Sequence, residues 1–348
     1  MQAVVRRGPR EVELVELPTP AIEPGTALLR VRACGICGSD LHGHRRGTVE
    51  CPPGYWWGHE AAAEVLEIAP HPGETPRVKV GDLVTIDPPL GRSCGACAWC
   101  LAGAPVHCDN KRGGPDWTGC YAPYAKRDVR GLFPLPAEMA AEDGALVEPL
   151  AVSVHAVRLA EMREGAKVAV LGAGTIGLTT LLAARGLGAS DVYVTARHAH
   201  QAALARELGA TAVLPEDPEE SEKALRDLTG GAMADLVIET VGGTAETVGQ
   251  ALRLVRRRGT VAVLGLFEHA VALEVGKALN REARLVFPLC YGSFDGVADF
   301  QVAIDLIATG KAPVRRLATH AFPLTDAAQA FRTADDKASR SVKVLLLP

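Results

Sequence analysis

Residues 167–197 read KVAVLGAGTIGLTTLLAARGLGASDVYVTAR, and this stretch decides the fold. Lys167–Leu171 is an apolar run of strand length. Gly172, Gly174 and Gly177 follow at once, and a helical pattern leads to a second apolar run, Val192–Thr195. A strand without polar alternation belongs in a sheet covered on both faces, and strand–loop–helix–strand is the βαβ unit. In G-x-G-x-x-G the first glycine permits the tight turn, the second lets backbone approach a pyrophosphate, and the third lets helix and strand pack closely. The anion then rests on free N–H groups at the helix N-terminus. Gly172, Gly174 and Gly177, with Thr175 and Ile176 between them, are candidate dinucleotide-binding residues.

The end of the second strand distinguishes the cofactors. An NAD site usually places Asp or Glu there to accept from the ribose hydroxyls. Here the strand ends Thr195-Ala196-Arg197-His198, without a carboxylate. A small residue followed by arginine suits a 2′-phosphate, because guanidinium pairs with phosphate through charge-assisted, bidentate hydrogen bonds. Ala196, Arg197 and His198 therefore favour NADP over NAD. The alternative leaves Arg197 as a solvated surface residue, with the acidic partner supplied from elsewhere.

Downstream, HQAALARELGA and TVGQALRLVRRRG read as helices, ADLVIETVG and TVAVLGL as strands. The charged stretch DPEESEKALRDLTGGAMAD reads as a solvated loop and helix face. This alternation predicts a doubly wound parallel sheet over 152–290. Upstream, TALLRVRACGIC, AAAEVLEIAP and DLVTIDPP are short strands among Gly and Pro turns, so 1–151 is expected to be mostly β. Residues 291–348 are expected to hold a helix, GVADFQVAIDLIATGK, and a closing strand, SVKVLLLP. The fold class is α/β with a mostly-β companion domain.

At 348 residues the chain is expected to form two domains, and 48% hydrophobic against 22% charged residues is a globular composition. A net charge of −4 without a basic, aromatic-interleaved patch argues against nucleic acid as a partner. No apolar run approaches the length of a membrane span, and the alternating N-terminus does not resemble a signal peptide. Nine cysteines at metal-like spacings suggest a reducing cytoplasm rather than a disulfide framework.

Cys94, Cys97, Cys100 and Cys108 have the spacing C-x2-C-x2-C-x7-C, which suits a closed, structural four-thiolate zinc in a lobe of about residues 91–110. Before the lobe stand Cys37, then His59 and Glu60. Glu148 follows it, near the end of the first domain. Thiolate, imidazole and carboxylate with a free fourth position make a catalytic zinc site. Cys34, Cys51, Cys120 and Cys290 read as structural, and His107 beside Cys108 is surplus to a filled four-thiolate site.

GICGSDLH, GHE, GDLV, the four-cysteine lobe, EPL and GAGTIG occur in the order found in the zinc-dependent medium-chain alcohol and polyol dehydrogenases, which the whole chain resembles. The resemblance implies a GroES-like catalytic domain with a Rossmann domain inserted before its C-terminal return, and two zinc ions per subunit. It implies Cys37 and His59 as catalytic zinc ligands, with Glu60 or Glu148 binding directly or through water, as in the sorbitol, glucose and threonine dehydrogenase branch. Asp40 is implied to orient His59, and Ser39 and His42 to form the proton relay. The implied reaction moves hydride between a nicotinamide and a secondary alcohol, cyclic alcohol or polyol. Tyr55, Trp56, Trp57 and Trp117 are candidate substrate walls. The polyol-binding arginine of the family is expected near Phe287–Leu289, where Pro288 stands instead. Members with the lobe are commonly homotetramers whose dimers pair Rossmann sheets edge to edge, and Thr260–Leu266 is the expected edge.

Two rivals compete. One is an NAD-dependent threonine- or butanediol-type dehydrogenase. The other is a non-catalytic zinc- or redox-sensing nucleotide-binding protein, against which the joint presence of Cys37, Ser39, His42, His59, Glu60 and Glu148 counts.

Overall fold

The computed structural model describes residues 1–46, 58–111 and 119–348. The chain divides into two compact units. One is made of Met1–Glu148, Gly292–Ala308 and Val314–Pro348, the other of Pro149–Tyr291 with Thr309–Pro313. The break at Glu148 lies three residues before the expected boundary and inside a helix, Val147–Leu159. Thr309–Pro313 also returns to the second unit, a crossing too short to read from sequence.

The first unit is built on a seven-stranded sheet in the order Ala318–Pro323, Lys343–Leu347, Thr26–Gly35, Glu60–Ala69, Leu83–Ile86, Leu132–Pro134, with Tyr124–Asp128 also pairing with Thr26–Gly35. Its pairings are antiparallel except between the first two strands. Leu29, Val31, Val65, Ile86, Leu132 and Phe331 share its buried core. The register sets Gly35 opposite Glu60 on one side and Leu345 on the other. The closing strand and the strand that opens at Glu60 thereby flank Thr26–Gly35 on opposite sides.

The second unit is a six-stranded sheet in the order Ala212–Leu214, Asp191–Thr195, Lys167–Leu171, Ala234–Glu239, Val255–Val263, Arg284–Val286. Every pairing is parallel. This is the doubly wound order in which sequence runs outward from Lys167–Leu171 in both directions. Leu171, Val237, Leu252 and Val261 form part of its core.

Two expectations are corrected. Val255–Val263 is flanked by Ala234–Glu239 and Arg284–Val286, so Thr260–Leu266 does not form the edge. Among the described residues the edge on that side is Arg284–Val286, a strand of three residues too short to stand out as an apolar run, and Ala212–Leu214 is the opposite edge. The VRRRG end of an expected helix is also extended, because the helix stops at Leu254. Arg258 takes a left-handed φ of 59°, and a Cβ on Gly259 would lie 2.9 Å from the Asp235 carbonyl oxygen. Conversely, DPEES opens a regular helix, Pro218–Leu228, because the Asp217 side chain accepts from the Glu219 and Glu220 amides.

Candidate active site and cofactor loop

Strand ends and one short helix assemble the first cluster. Thr26–Gly35 delivers Cys37 just beyond its last residue, and the helix Gly38–Arg46 carries Ser39, Asp40 and His42. Gly58 has a φ of 80°, and a Cβ there would fall 2.7 Å from the Cys34 sulfur and 2.8 Å from the Tyr121 ring. Glycine therefore lets the chain enter the next strand with His59 and Glu60 facing Cys37. Ligand atoms of Cys37, His59 and Glu60 all lie within 4.8 Å of one another, a span that one ion can bridge.

The surroundings are anionic. Burial works to lower the His59 pKa, yet Cys37, Asp40 and Glu148 together hold it well above the usual imidazole range. Such a pocket suits a divalent cation. Asp40 is buried, with Oδ1 4.0 Å from His59 Nδ1 and Oδ2 accepting from the Cys37 amide at 3.0 Å. The Tyr121 hydroxyl donates to Asp40 Oδ2 at 2.7 Å and also lies 3.0 Å from the Gly35 carbonyl oxygen. Glu148 is buried in the first turn of Val147–Leu159 and acts on His59 electrostatically, but it stands outside the three-residue ligand cluster. Ser39 is exposed and His42 half-buried, three residues apart on one helix face.

Two participants escaped the sequence reading. Tyr121 fixes Asp40 from 81 residues away. Lys343 is 2% exposed, and its ammonium donates to Glu60 Oε1 at 2.7 Å, to Glu60 Oε2 at 2.5 Å and to the Ile36 carbonyl at 3.0 Å. A signal for Lys343 was present, since it is the one charged residue of the strand KVLLL.

The four-cysteine lobe is compact. The sulfurs of Cys97 and Cys100 are 3.5 Å apart, those of Cys97 and Cys108 3.8 Å, and those of Cys94 and Cys100 3.9 Å. Tetrahedral Zn–S bonds of about 2.3 Å require sulfur separations of about 3.8 Å, so the donor set fits zinc. Amides of Ala96 and Cys97 donate to Cys94 and lower its thiol to about 6, which favours the thiolate a metal needs. His107 packs on the Trp99 ring, 5.6 Å between centroids. Cys34 and Cys120 are buried, and burial pushes both thiols up, as inert structural cysteines require. Tyr55, Trp56, Trp57, Trp117 and Cys51 lie outside the described residues.

In the second unit Gly172 has a φ of 99°, and a Cβ on Gly177 would fall 2.0 Å from the Gly172 carbonyl oxygen. Nothing lies within 4 Å of a Cβ placed on Gly174, at the cap of the helix Thr175–Gly186, which leaves room for a phosphate. The Gly172 amide donates to the Thr195 hydroxyl at 2.9 Å, tying the loop to the second strand. Ala196, Arg197 and His198 follow that strand. Arg197 is exposed and pairs with Glu216, its Nε donating at 2.7 Å.

Residues 23–137 match the family described as the alcohol dehydrogenase GroES-like domain, and residues 175–309 match that described as zinc-binding dehydrogenase. A zinc-type alcohol dehydrogenase-like protein of Escherichia coli, itself uncharacterised, is 33% identical, covering 93% of this chain and 92% of its own. Sorbitol dehydrogenase of Ovis aries is 33% identical over 99% of this chain and 95% of its own. A solved structure from Sinorhizobium meliloti 1021, described as a zinc-binding dehydrogenase bound to NADP, is 32% identical with a TM-score of 0.85, covering 100% of this chain and 99% of that one.

Proposed function

The chain belongs to the zinc-dependent medium-chain alcohol dehydrogenases, and on that premise we propose that it interconverts a secondary alcohol and its ketone with NADP(H). The alcohol is of polyol, cyclic or modified-sugar type. The observation that carries this reading is the Cys37, His59 and Glu60 cluster beside Ser39. Cys37 and His59 hold the catalytic zinc with Glu60 or Glu148, and Cys94, Cys97, Cys100 and Cys108 hold the structural one. When bound, zinc draws charge from the substrate oxygen and the nicotinamide carries the hydride.

The chain's own residues do the rest. Asp40, fixed by Tyr121, orients His59. The Ser39 hydroxyl takes the carbinol proton and passes it toward His42, whose imidazole can accept it at a ring nitrogen. Gly172, Gly174, Thr175, Ile176 and Gly177 present backbone to the pyrophosphate, and Ala196 leaves room for the 2′-phosphate. Arg197 pairs with that phosphate, and His198 adds a donor. An exposed ion pair such as Arg197–Glu216 contributes only about 0–1 kcal/mol, so a dianionic phosphate can displace Glu216. A second reading draws on the same pair: Glu216 accepts from the ribose hydroxyls, and the cofactor is NAD. The relative described with NADP supports the first reading.

The missing arginine at 287–289 disfavours sorbitol itself. A homotetramer is the expected assembly, and the edge Arg284–Val286 with exposed Phe287 and Leu289 offers the place for a second copy. Among the described residues no helix is long and apolar enough to cross a membrane.

The test is reduction of ketoses and cyclic ketones by zinc-replete protein. Ser39→Ala is expected to lower turnover about 100-fold or more while zinc content and cofactor binding persist. Unchanged turnover with chemistry rate-limiting removes Ser39 from the relay.

A further inference from the structure

We propose that the cleft where the helix Gly38–Arg46 meets the helix Ala327–Asp335 is a binding site for a phosphate group, separate from the zinc and cofactor residues. Its volume is about 870 Å3, within the range of small-molecule sites. None of its lining residues belongs to the Cys37 cluster, the four-cysteine lobe or the glycine loop. Such a site goes beyond the dehydrogenase chemistry proposed above and does not depend on it.

Three guanidiniums line the cleft, brought there from separate parts of the chain. Arg10 comes from the turn between the strands Gln2–Gly8 and Glu11–Glu16, Arg45 from the first helix and Arg332 from the second. The Arg10 amide donates to the His44 carbonyl at 2.7 Å, which ties the turn to the helix. Two carboxylates face these cations, and they do not balance them. Asp335 is shared, accepting from Arg10 Nη1 at 3.0 Å and from Arg45 Nε at 2.5 Å. Asp336 accepts the Ala338 amide at 2.8 Å. Among the described residues Arg332 donates only to the Gln329 amide oxygen, so no carboxylate offsets its charge. Burial and then Arg45 lower the Lys337 pKa, against Asp335, which places a further cation beside the cleft.

His44 also lines the cleft. It is 3% exposed, its ring packs 5.0 Å from that of Phe331, and its buried Nδ1 has no hydrogen-bond partner among the described residues. A buried polar atom without a partner is costly, and an anion in the cleft can supply the acceptor. Burial lowers the His44 pKa, with Asp335 opposing and Arg10, Arg6 and Arg45 lowering it further. A neutral imidazole still donates one N–H. Guanidinium forks with an imidazole N–H are a donor set for phosphate, and a metal cation is disfavoured beside them. Arg10 moreover holds a φ of 58°, where glycine would be less strained, so its side chain is kept against the local backbone preference.

The test is isothermal titration of the full chain with inorganic phosphate at constant ionic strength. Wild type is expected to bind with a dissociation constant of roughly 1 mM or tighter. Arg10→Gly suits its backbone position and Arg332→Gln changes an exposed helix residue, so both variants are expected to fold. Each is expected to weaken binding about tenfold, and should one not fold, the other decides. Glycerol 3-phosphate, bound more tightly than phosphate and weakened by the same substitutions, identifies a phosphate ester as the occupant. Equal or weaker binding of the ester identifies the free ion. No binding by wild type overturns the proposal, and so does binding unchanged in either folded variant. Binding that survives both substitutions and is lost in Arg197→Ala belongs to the cofactor loop and overturns it as well. Succinate bound more tightly than phosphate overturns the assignment of the group.

Discussion

Asp87 shows what burial does to a single carboxyl. It caps the helix Pro88–Arg92, accepting from the Leu90 amide at 2.7 Å. Burial raises its pKa from 3.8 to about 7, against the Leu90 hydrogen bond, with Glu148 and Asp299 adding to the rise and Arg77 opposing it. The folded chain then keeps a proton that the unfolded chain releases. Its contribution to stability is present below pH 4 and is lost as pH rises toward 7. Asp87→Asn keeps the cap without the charge. In urea titrations, wild type is expected to lose about 2–3 kcal/mol relative to the variant between pH 5 and pH 8. Equal pH dependence of the two proteins contradicts this account. At the same scale, Cys37, His59 and Glu60 were readable because their motifs are local. Tyr121 was not, and Lys343 was marked only as the lone charge of KVLLL, because they arrive from 81 and 283 residues away.

Two elements carry separable tasks. The glycine loop works by close packing, and a methyl on Gly177 would meet the Gly172 carbonyl oxygen at 2.0 Å. Gly177→Ala is therefore expected to abolish nicotinamide binding in a fluorescence titration while both zinc ions remain by elemental analysis. The proposed task of the lobe is ligand closure around a structural zinc. Cys97→Ser is expected to lower zinc from two per chain to one and to reduce the unfolding midpoint, with cofactor binding retained. Full zinc content and unchanged stability in that variant would remove the structural role of the lobe. Element type was legible where apolar residues ran continuously, as in Lys167–Leu171, or alternated with polar ones, as in Thr26–Gly35. It failed at Val255–Arg258, where a basic segment continued a helical pattern but a left-handed Arg258 beside Gly259 places the residues in the sheet.

For the whole molecule, the parallel sheet and the mostly antiparallel one follow from patterns of different period, so two architectures were readable from one chain. The edge strand was not, since Arg284–Val286 offers three residues and Thr260–Leu266 looked more strand-like than it. Cofactor choice stands on the loop after Thr195, where the strand ends without a carboxylate but Arg197 meets one on Glu216. The most direct test is titration of zinc-replete protein with NADPH and NADH separately, following nicotinamide fluorescence. The account predicts NADPH bound tenfold or more tightly, about 1.4 kcal/mol or more, with the preference lost in Arg197→Ala. Tighter NADH binding, insensitive to Arg197→Ala, would contradict it.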